Sequence, residues 1–276
     1  MDGFTTNTFL ELATVAVGAG VAGGILAGLL GVGGGIVIVP ALYFALSLTG
    51  IGADIAMKIA VGTSLTTIVF TSLASSRGHC RRGAVDMDLI RLWGPSILLG
   101  VVLGGFIGGY VSGNVLIAVF ATVALLVAAD MILRKGRADP QPKGFSKPVW
   151  AFFGILAGGI SAMMGIGGGT IGVPLLNFLG YDIRRAVGTS SVLGCIIGLP
   201  GALIYAYSGL GAEGLPPFSL GYVNLLAAAV LIPLTTAFSQ VGVRLAHAIP
   251  RRALRLAFGG FLLLTSIRMF IDLLGG

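Results

Sequence analysis

Long apolar segments separated by short polar loops make up most of this chain of 276 residues. Their lengths predict ten helices, which we place at approximately 9–30, 36–49, 57–74, 89–111, 114–133, 149–164, 170–180, 186–208, 220–238 and 253–273. A helix needs about 20 residues to cross a bilayer, so the second and seventh segments cross it only if tilted or broken. Both directly follow a glycine cluster. The pattern therefore predicts an all-α membrane protein with about ten transmembrane segments, including short helices that are glycine-interrupted (broken or re-entrant).

The composition supports a chain embedded in lipid and excludes several classes of protein. Hydrophobic residues make up 56% of the sequence and charged residues 10%, whereas a soluble domain has about 25% charged residues. An ordinary soluble enzyme, a disordered chain and a nucleic-acid-binding domain are therefore excluded, and the lipid bilayer is the expected surrounding. The 46 glycines favour closely packed or broken helices.

The loop charges predict the orientation of the helices. Of the 17 lysines and arginines, 15 lie in or beside four loops, at 75–91, 134–148, 184–185 and 244–255. Ten crossings with the N- and C-termini outside would place all four loops in the cytoplasm, as the positive-inside rule requires. Only Lys58 and Arg268 would then lie toward the outside.

The sequence contains an internal repeat. The segment GLLGVGGGIVIVPAL at 28–42 matches SAMMGIGGGTIGVPLL at 161–176, with an offset of 134 positions between the glycine clusters. A second match follows in both halves, because the pentapeptide AVGTS occurs at 60–64 and again at 186–190. Two matches in the same order argue against chance.

Each copy of the repeat contains five predicted segments, so the second copy enters the membrane in the opposite orientation. We divide the chain into a first five-segment repeat at 1–133, a cytoplasmic linker at 134–148 and a second, inverted repeat at 149–276. Inverted repeats with short, glycine-interrupted segments at matching positions are typical of secondary transporters, whose site lies between the repeats near the middle of the membrane.

The glycine clusters and the AVGTS motifs contain the candidate substrate-binding groups. Backbone that is not helical cannot face lipid, so it must line a cavity or be buried in protein. Glycine can adopt positive φ and direct N–H groups at a ligand, and a helix that restarts there has an N-terminus suited to an anion. The candidates are Gly33, Gly34, Gly35, Gly167, Gly168 and Gly169, with the hydroxyls of Thr63, Ser64, Thr189 and Ser190. The alternative is that these small residues only let helices pack closely.

Acidic residues are missing from the segments around these motifs. No Asp or Glu occurs within 31–50, 57–74, 165–180 or 186–208. Cation carriers and proton relays usually place carboxylates inside the bundle, so an anionic or neutral substrate is favoured. Neither glycine cluster is followed by the Gly-Lys-Ser/Thr of a phosphate loop, and no HExxH motif occurs. We therefore expect no cofactor, no metal site and no enzymatic activity.

A basic stretch follows the third segment. Residues 75–86, SSRGHCRRGAVD, contain Arg77, His79 and Arg81. One interpretation is an electropositive cytoplasmic vestibule that attracts anions, with His79 as a gating group. The alternative is a basic loop that only sets the topology. Arg268 similarly either attracts an anion or pairs with the aspartate four residues later.

Several motifs together resemble one family of permeases. They are the duplicated GxGGGxxxxP element, the repeated AVGTS, HCRRGAVD at 79–86 and LPPFSLGYVNL at 215–225. This combination, over nearly the whole chain, resembles the TauE/SafE family, also called the sulfite exporter or DUF81 family. The resemblance implies transport of sulfite, sulfoacetate or related sulfonates across the cytoplasmic (inner) membrane of a bacterium. The second half has no His-Arg element after Ser191, so a symmetric set of charged ligands is not expected.

These observations lead to one main hypothesis and three competitors. The main hypothesis is a secondary transporter that exports a small sulfur-containing anion such as sulfite, sulfoacetate or another organosulfonate. The alternative is a channel-like facilitator of a small anion or neutral solute, and a membrane-embedded enzyme and a scaffold subunit are further competitors. The GxxxG pairs Gly20/Gly24 and Gly154/Gly158 fit either packing within the chain or a homodimer.

Overall fold

The computed structural model describes residues 6–30, 33–133, 146–245 and 251–275, so most of the predicted linker at 134–148 lies outside the described residues. Within them the chain forms ten α-helices and one two-stranded antiparallel sheet. The elements are α1 (Thr6–Leu30), α2 (Gly35–Leu48), α3 (Ala53–Cys80), α4 (Met87–Tyr110), α5 (Gly113–Leu133), α6 (Lys147–Met164), α7 (Gly168–Phe178), α8 (Ile183–Ser208), β1 (Ser219–Leu220), β2 (Val223–Asn224), α9 (Leu225–Leu245) and α10 (Arg251–Gly275). Seven of the helices are long and apolar enough to cross a membrane. The helical fold is confirmed, while the inverted repeat stays a prediction.

The second and seventh helices are short, as the sequence predicts. Helix α2 has 14 residues and α7 has 11, which correspond to lengths of about 21 and 16 Å. Both are shorter than the hydrocarbon core of about 30 Å. Each follows a glycine turn with positive φ, at 80° for Gly34 before α2 and 67° for Gly165 at the end of α6. Only glycine adopts such φ values without strain, so the glycines cause the breaks.

The ninth segment begins later than predicted. The sequence pattern placed it at 220–238, whereas α9 begins at Leu225 after the hairpin of β1 and β2. Asn224 ends the hairpin and caps α9, because its side-chain Oδ1 accepts the N–H of Ala227 at 2.9 Å. Strands of two residues are too short to show an alternating pattern, so apolar residues of the hairpin were assigned to the helix.

The two predicted GxxxG faces pack within the chain. Helix α1 packs along α9, and α6 packs along α4. A β-carbon added at Gly24 would lie 2.9 Å from the carbonyl oxygen of Thr235, and one at Gly158 would overlap the carbonyl oxygen of Ile97. The glycines therefore let the paired helices approach closely, which occupies the faces that a homodimer would have needed. In the predicted repeat, α1 corresponds to α6 and α4 corresponds to α9. The pair α1–α9 in the structure therefore corresponds to the pair α6–α4, and this correspondence supports the predicted repeat.

Helices α3 and α8 pack against each other at the centre of the molecule. Helix α3 is the most buried of the seven long apolar helices. The peripheral faces of other helices expose large apolar side chains, as at Leu126 (64% exposed) and Leu264 (71% exposed). Such faces suit the acyl chains of lipid, whereas polar groups are kept for the interior. The centre of the molecule is therefore where a polar site can form.

Candidate functional site

The two glycine turns contact each other at the centre of the molecule. A β-carbon added at Gly33 would lie 3.4 Å from Cα of Gly167, and one at Gly35 would overlap the carbonyl oxygen of Gly165. The Ser64 hydroxyl donates to that same carbonyl oxygen at 2.7 Å. These five residues, from both halves of the chain, form what we call the glycine junction. The structure thus brings together the two motifs that the sequence singled out.

Two helices begin at the glycine junction. Helix α2 starts directly after its N-cap residue Gly34, so no side chain of the cap residue accepts its first N–H groups. Helix α7 starts at Gly168. The first N–H groups of an α-helix have no partner within the helix, and the helix N-terminus has a partial positive charge. The junction therefore presents two sets of backbone donors, on chain segments from different halves, that suit an anionic ligand.

Each threonine of the two AVGTS motifs accepts a hydrogen bond from the residue that caps a neighbouring helix. Thr63 Oγ1 accepts the backbone N–H of Asn224 at 2.9 Å, and Thr189 Oγ1 accepts the backbone N–H of Asp86 at 3.0 Å. Asp86 caps α4 in the same way that Asn224 caps α9. The sequence predicted both hydroxyls as substrate ligands, and the structure gives each an acceptor role between helices. Each still has its own O–H proton to donate.

Three hydroxyls beside the second glycine turn are buried and have no hydrogen-bond partner. They belong to Ser161, Thr170 and Ser190, and all three residues are at most 2% exposed. A β-carbon added at Gly172 would lie 2.9 Å from Ser190 Oγ, so Ser190 faces the first turns of α7. Burying an unpaired hydroxyl costs about 1–3 kcal/mol, which a ligand oxygen would recover. The motifs in the sequence did not point to Ser161 or Thr170, although Thr170 directly follows the glycine cluster.

The basic residues lie far from the glycine junction. Arg77, His79 and Arg81 are at the C-terminal end of α3, where both arginines are exposed. His79 is half-buried, and its Nε2 is buried without a hydrogen-bond partner. Fifteen residues separate Ser64 from His79, which is about 22 Å along a helix. The structure therefore separates the predicted attraction or gating residues from the predicted binding residues.

Two ion pairs elsewhere join a buried or half-buried charge to an exposed partner. The Lys58 ammonium lies 2.9 Å from Asp54 Oδ2, and the other carboxylate oxygen of Asp54 accepts the N–H of Gly113. Arg268 lies 3.1 Å from Asp272, which confirms the ion pair as one of its two predicted roles. Across the described ranges, no cluster of three or more His, Cys, Asp or Glu side chains could hold a metal ion.

Comparison with known proteins identifies the family. The family model described as Sulfite exporter TauE/SafE matches residues 16–269. The chain belongs to the TauE/SafE family. Membership confirms the resemblance that the repeated motifs indicated, and no solved structure matches the chain.

Two similar proteins are named as probable membrane transporters. A probable membrane transporter protein of Haemophilus influenzae is 32% identical, over 91% of this chain and 96% of the relative. The probable membrane transporter protein YunE of Bacillus subtilis is 26% identical, over 79% of this chain and 83% of the relative. Together with the seven long apolar helices, the TauE/SafE family supports a multi-pass membrane protein that acts as a transporter.

Proposed function

We propose that this protein is a secondary transporter that exports a small sulfur-containing anion, such as sulfite, sulfoacetate or another organosulfonate, across the cytoplasmic membrane. Its N- and C-termini lie outside, and its binding site is the glycine junction. The contact between the two glycine turns supports this proposal most strongly, because Ser64 of one half bonds to Gly165 of the other. Secondary transporters built from inverted repeats bind substrate where broken helices of the two repeats meet.

The chemistry of the junction fits a sulfur oxyanion. A sulfonate has three acceptor oxygens, and the starts of α2 and α7 together with the Ser190 and Thr170 hydroxyls supply donors. A hydrogen bond to an ionised acceptor contributes about 1.5–3 kcal/mol, so a few such bonds offset desolvation of the anion and still permit release. The sequence around both turns contains no Asp or Glu that would repel an anion.

A ligand panel followed by flux measurement tests the proposal. The purified full chain is heated in detergent with sulfite, sulfate, thiosulfate, sulfoacetate, taurine or chloride at matched ionic strength. A ligand at 100 times its dissociation constant adds about 2.7 kcal/mol to the free energy of unfolding, so one sulfur anion should raise the Tm selectively. The same anion should enter proteoliposomes. A folded protein that neither binds nor moves any sulfur anion would contradict the proposal.

Counterflow separates the transporter from the channel-like facilitator. A transporter that exposes its site to one side at a time moves labelled anion faster when unlabelled anion is present on the opposite side. A channel shows no such acceleration and conducts many more ions per second. Acceleration of flux by unlabelled anion is the expected result, and currents far above transporter turnover would instead favour the facilitator.

A further inference from the structure

A row of hydroxyls leads from the glycine junction toward the basic end of α3. Ser64, Thr67, Thr71 and Ser75 recur at helical spacing, so they lie on one face of the helix. The first three residues are 0% exposed and Ser75 is 3% exposed. We call these four residues the hydroxyl row. It begins at the bond between Ser64 and Gly165 and ends one turn before His79.

Helix α9 adds hydroxyls opposite the hydroxyl row. Thr71 Oγ1 lies 2.8 Å from Thr235 Oγ1 and 3.0 Å from the carbonyl oxygen of Thr67, so its single proton has two acceptors within reach. Gln240 Nε2 donates to the carbonyl oxygen of Ala74 at 3.4 Å. From the first contact between the two helices to the second, the residue number rises in both helices, so α3 and α9 run parallel here. Ser239, one turn beyond Thr235 on α9, is also fully buried. Hydroxyls from two helices therefore face each other along this part of the interior.

One hydroxyl of the row has no partner. Ser75 Oγ, one turn beyond Thr71, is buried and makes no hydrogen bond, and His79 Nε2 on the next turn is also buried without a partner. Native proteins rarely leave buried polar atoms unpaired, and such atoms indicate a place that a water or a ligand occupies. The row thus contains a free donor at the point where it approaches the basic end of α3.

Packing alone does not require hydroxyls at these positions. The repeat offset of 126 residues makes Leu193 the equivalent of Thr67 and Ile197 the equivalent of Thr71. Both residues of α8 are buried, at 1% and 2% exposure, and both are apolar. Apolar side chains therefore fill the equivalent positions in the second half of the chain. Polar side chains at these positions occur only in α3, the helix that ends in the basic residues.

We propose that the hydroxyl row is the route by which the anion moves between the glycine junction and the basic end of α3, and that the hydrogen bond between Thr71 and Thr235 closes this route in the present conformation. The proposal rests on the proposed function for the identity of the cargo. Thr67 and Thr71 Oγ1 lie 2.7 and 3.0 Å from carbonyl oxygens of their own helix, and rotation of such a hydroxyl lets it donate to a passing anion without adding a fixed positive charge that would trap it. Passage through a protein requires several weak sites of this kind.

Cysteine accessibility tests the route. The native cysteines are first replaced (Cys80→Ser and Cys195→Ala), and Thr71→Cys or Ser75→Cys is then introduced. Matched controls are Ile197→Cys on α8 and Ile117→Cys on α5, which are equally buried. Inverted membrane vesicles, which expose the cytoplasmic face, receive the impermeant anion methanethiosulfonate ethylsulfonate. The unmodified chain is the positive control for the reagent, because Cys80 is exposed.

The row positions should react several-fold faster than the two control positions. Equal rates at all four positions, or no reaction at Thr71→Cys and Ser75→Cys while Cys80 of the unmodified chain reacts, would overturn the route. Sulfoacetate, but not chloride, should slow the reaction at the row. If the row reacts selectively and no sulfur anion slows it, the route stands and the sulfur-anion substrate is overturned.

Discussion

At the scale of single residues, hydroxyls in the same motif have different roles. Ser64 is bonded to Gly165, whereas its repeat equivalent Ser190 is equally buried and has no partner. The sequence predicted both as substrate ligands from the AVGTS motif, because the motif is identical in the two halves. It could not distinguish them, because the partner of Ser64 is 101 residues away in the chain. For the same reason it gave no sign that Thr63 and Thr189 accept backbone N–H groups.

Replacing Ser190 separates ligand binding from stability. Ser190→Ala removes a buried hydroxyl that has no partner, so the free energy of unfolding should stay unchanged or rise slightly. Anion affinity should fall about tenfold or more, since the hydrogen bond lost to an ionised acceptor contributes about 1.5–3 kcal/mol. Thermal unfolding and the ligand-induced shift in Tm measure the two effects on the same sample.

The neighbouring serine provides the control for that experiment. Ser191 Oγ donates to the carbonyl oxygen of Gly188 in its own helix at 2.7 Å, so it has a partner without a ligand. Ser191→Ala should leave anion affinity unchanged. Equal loss of affinity in Ser190→Ala and Ser191→Ala, or a marked loss of stability in Ser190→Ala, would show that Ser190 has a packing role only.

At the scale of helices, the apolar pattern predicts most of the fold. In the described part of the chain, ten helices appear in the predicted order, and both short ones follow glycine clusters, because segment length and glycine content are local properties. The hairpin before α9 was missed, since its strands have two residues each. Which helices pack together could not be predicted, because α1 contacts α9 and α4 contacts α6 across long stretches of sequence. The GxxxG pairs predicted which faces of α1 and α6 pack closely, but they did not predict which helices those faces contact.

Two glycines of α1 test the packing of α1 on α9. A β-carbon at Gly24 would lie 2.9 Å from backbone atoms of Thr235, whereas one at Gly18 would have no atom within 4 Å. Gly24→Ala should therefore destabilise the protein by about 1–3 kcal/mol through overpacking. Gly18→Ala should stabilise it by about 0.5–1 kcal/mol, because alanine favours the helix. Chemical or thermal unfolding in detergent measures both, and similar effects of the two substitutions would contradict the packing.

At the scale of the whole molecule, the loops gather at two opposite ends of the helices. Loops predicted outside meet where Gly113 donates to Asp54. The predicted cytoplasmic ends of segments meet where the backbone N–H of Asp86 donates to Thr189 Oγ1 and where Trp93 Nε1 donates to the carbonyl oxygen of Trp150 at 2.9 Å. This grouping supports the crossing pattern derived from loop charges, and the absolute orientation remains a prediction.

The exposed native cysteine tests the orientation directly. Cys80 lies at the end of α3 that we predict to be cytoplasmic, so an impermeant maleimide should label it in inverted vesicles and leave it unlabelled in intact cells. The comparison uses Tyr207→Cys in a chain that carries Cys80→Ser. Tyr207 is 63% exposed at the opposite end, on α8, and should show the reverse pattern. Labelling of both positions from the same side would refute the topology.

The pairing of α1 with α9 also constrains how the protein is made. The glycine face of α1 enters the membrane early, but the helix that covers it is among the last to be synthesised. At about 5–20 residues per second, the roughly 200 residues between them take about 10–40 s to emerge from the ribosome. During this delay α1 lies in the bilayer without its partner, so its glycine face contacts lipid or other parts of the chain until α9 arrives. Slow codons anywhere between α1 and α9 would lengthen this interval.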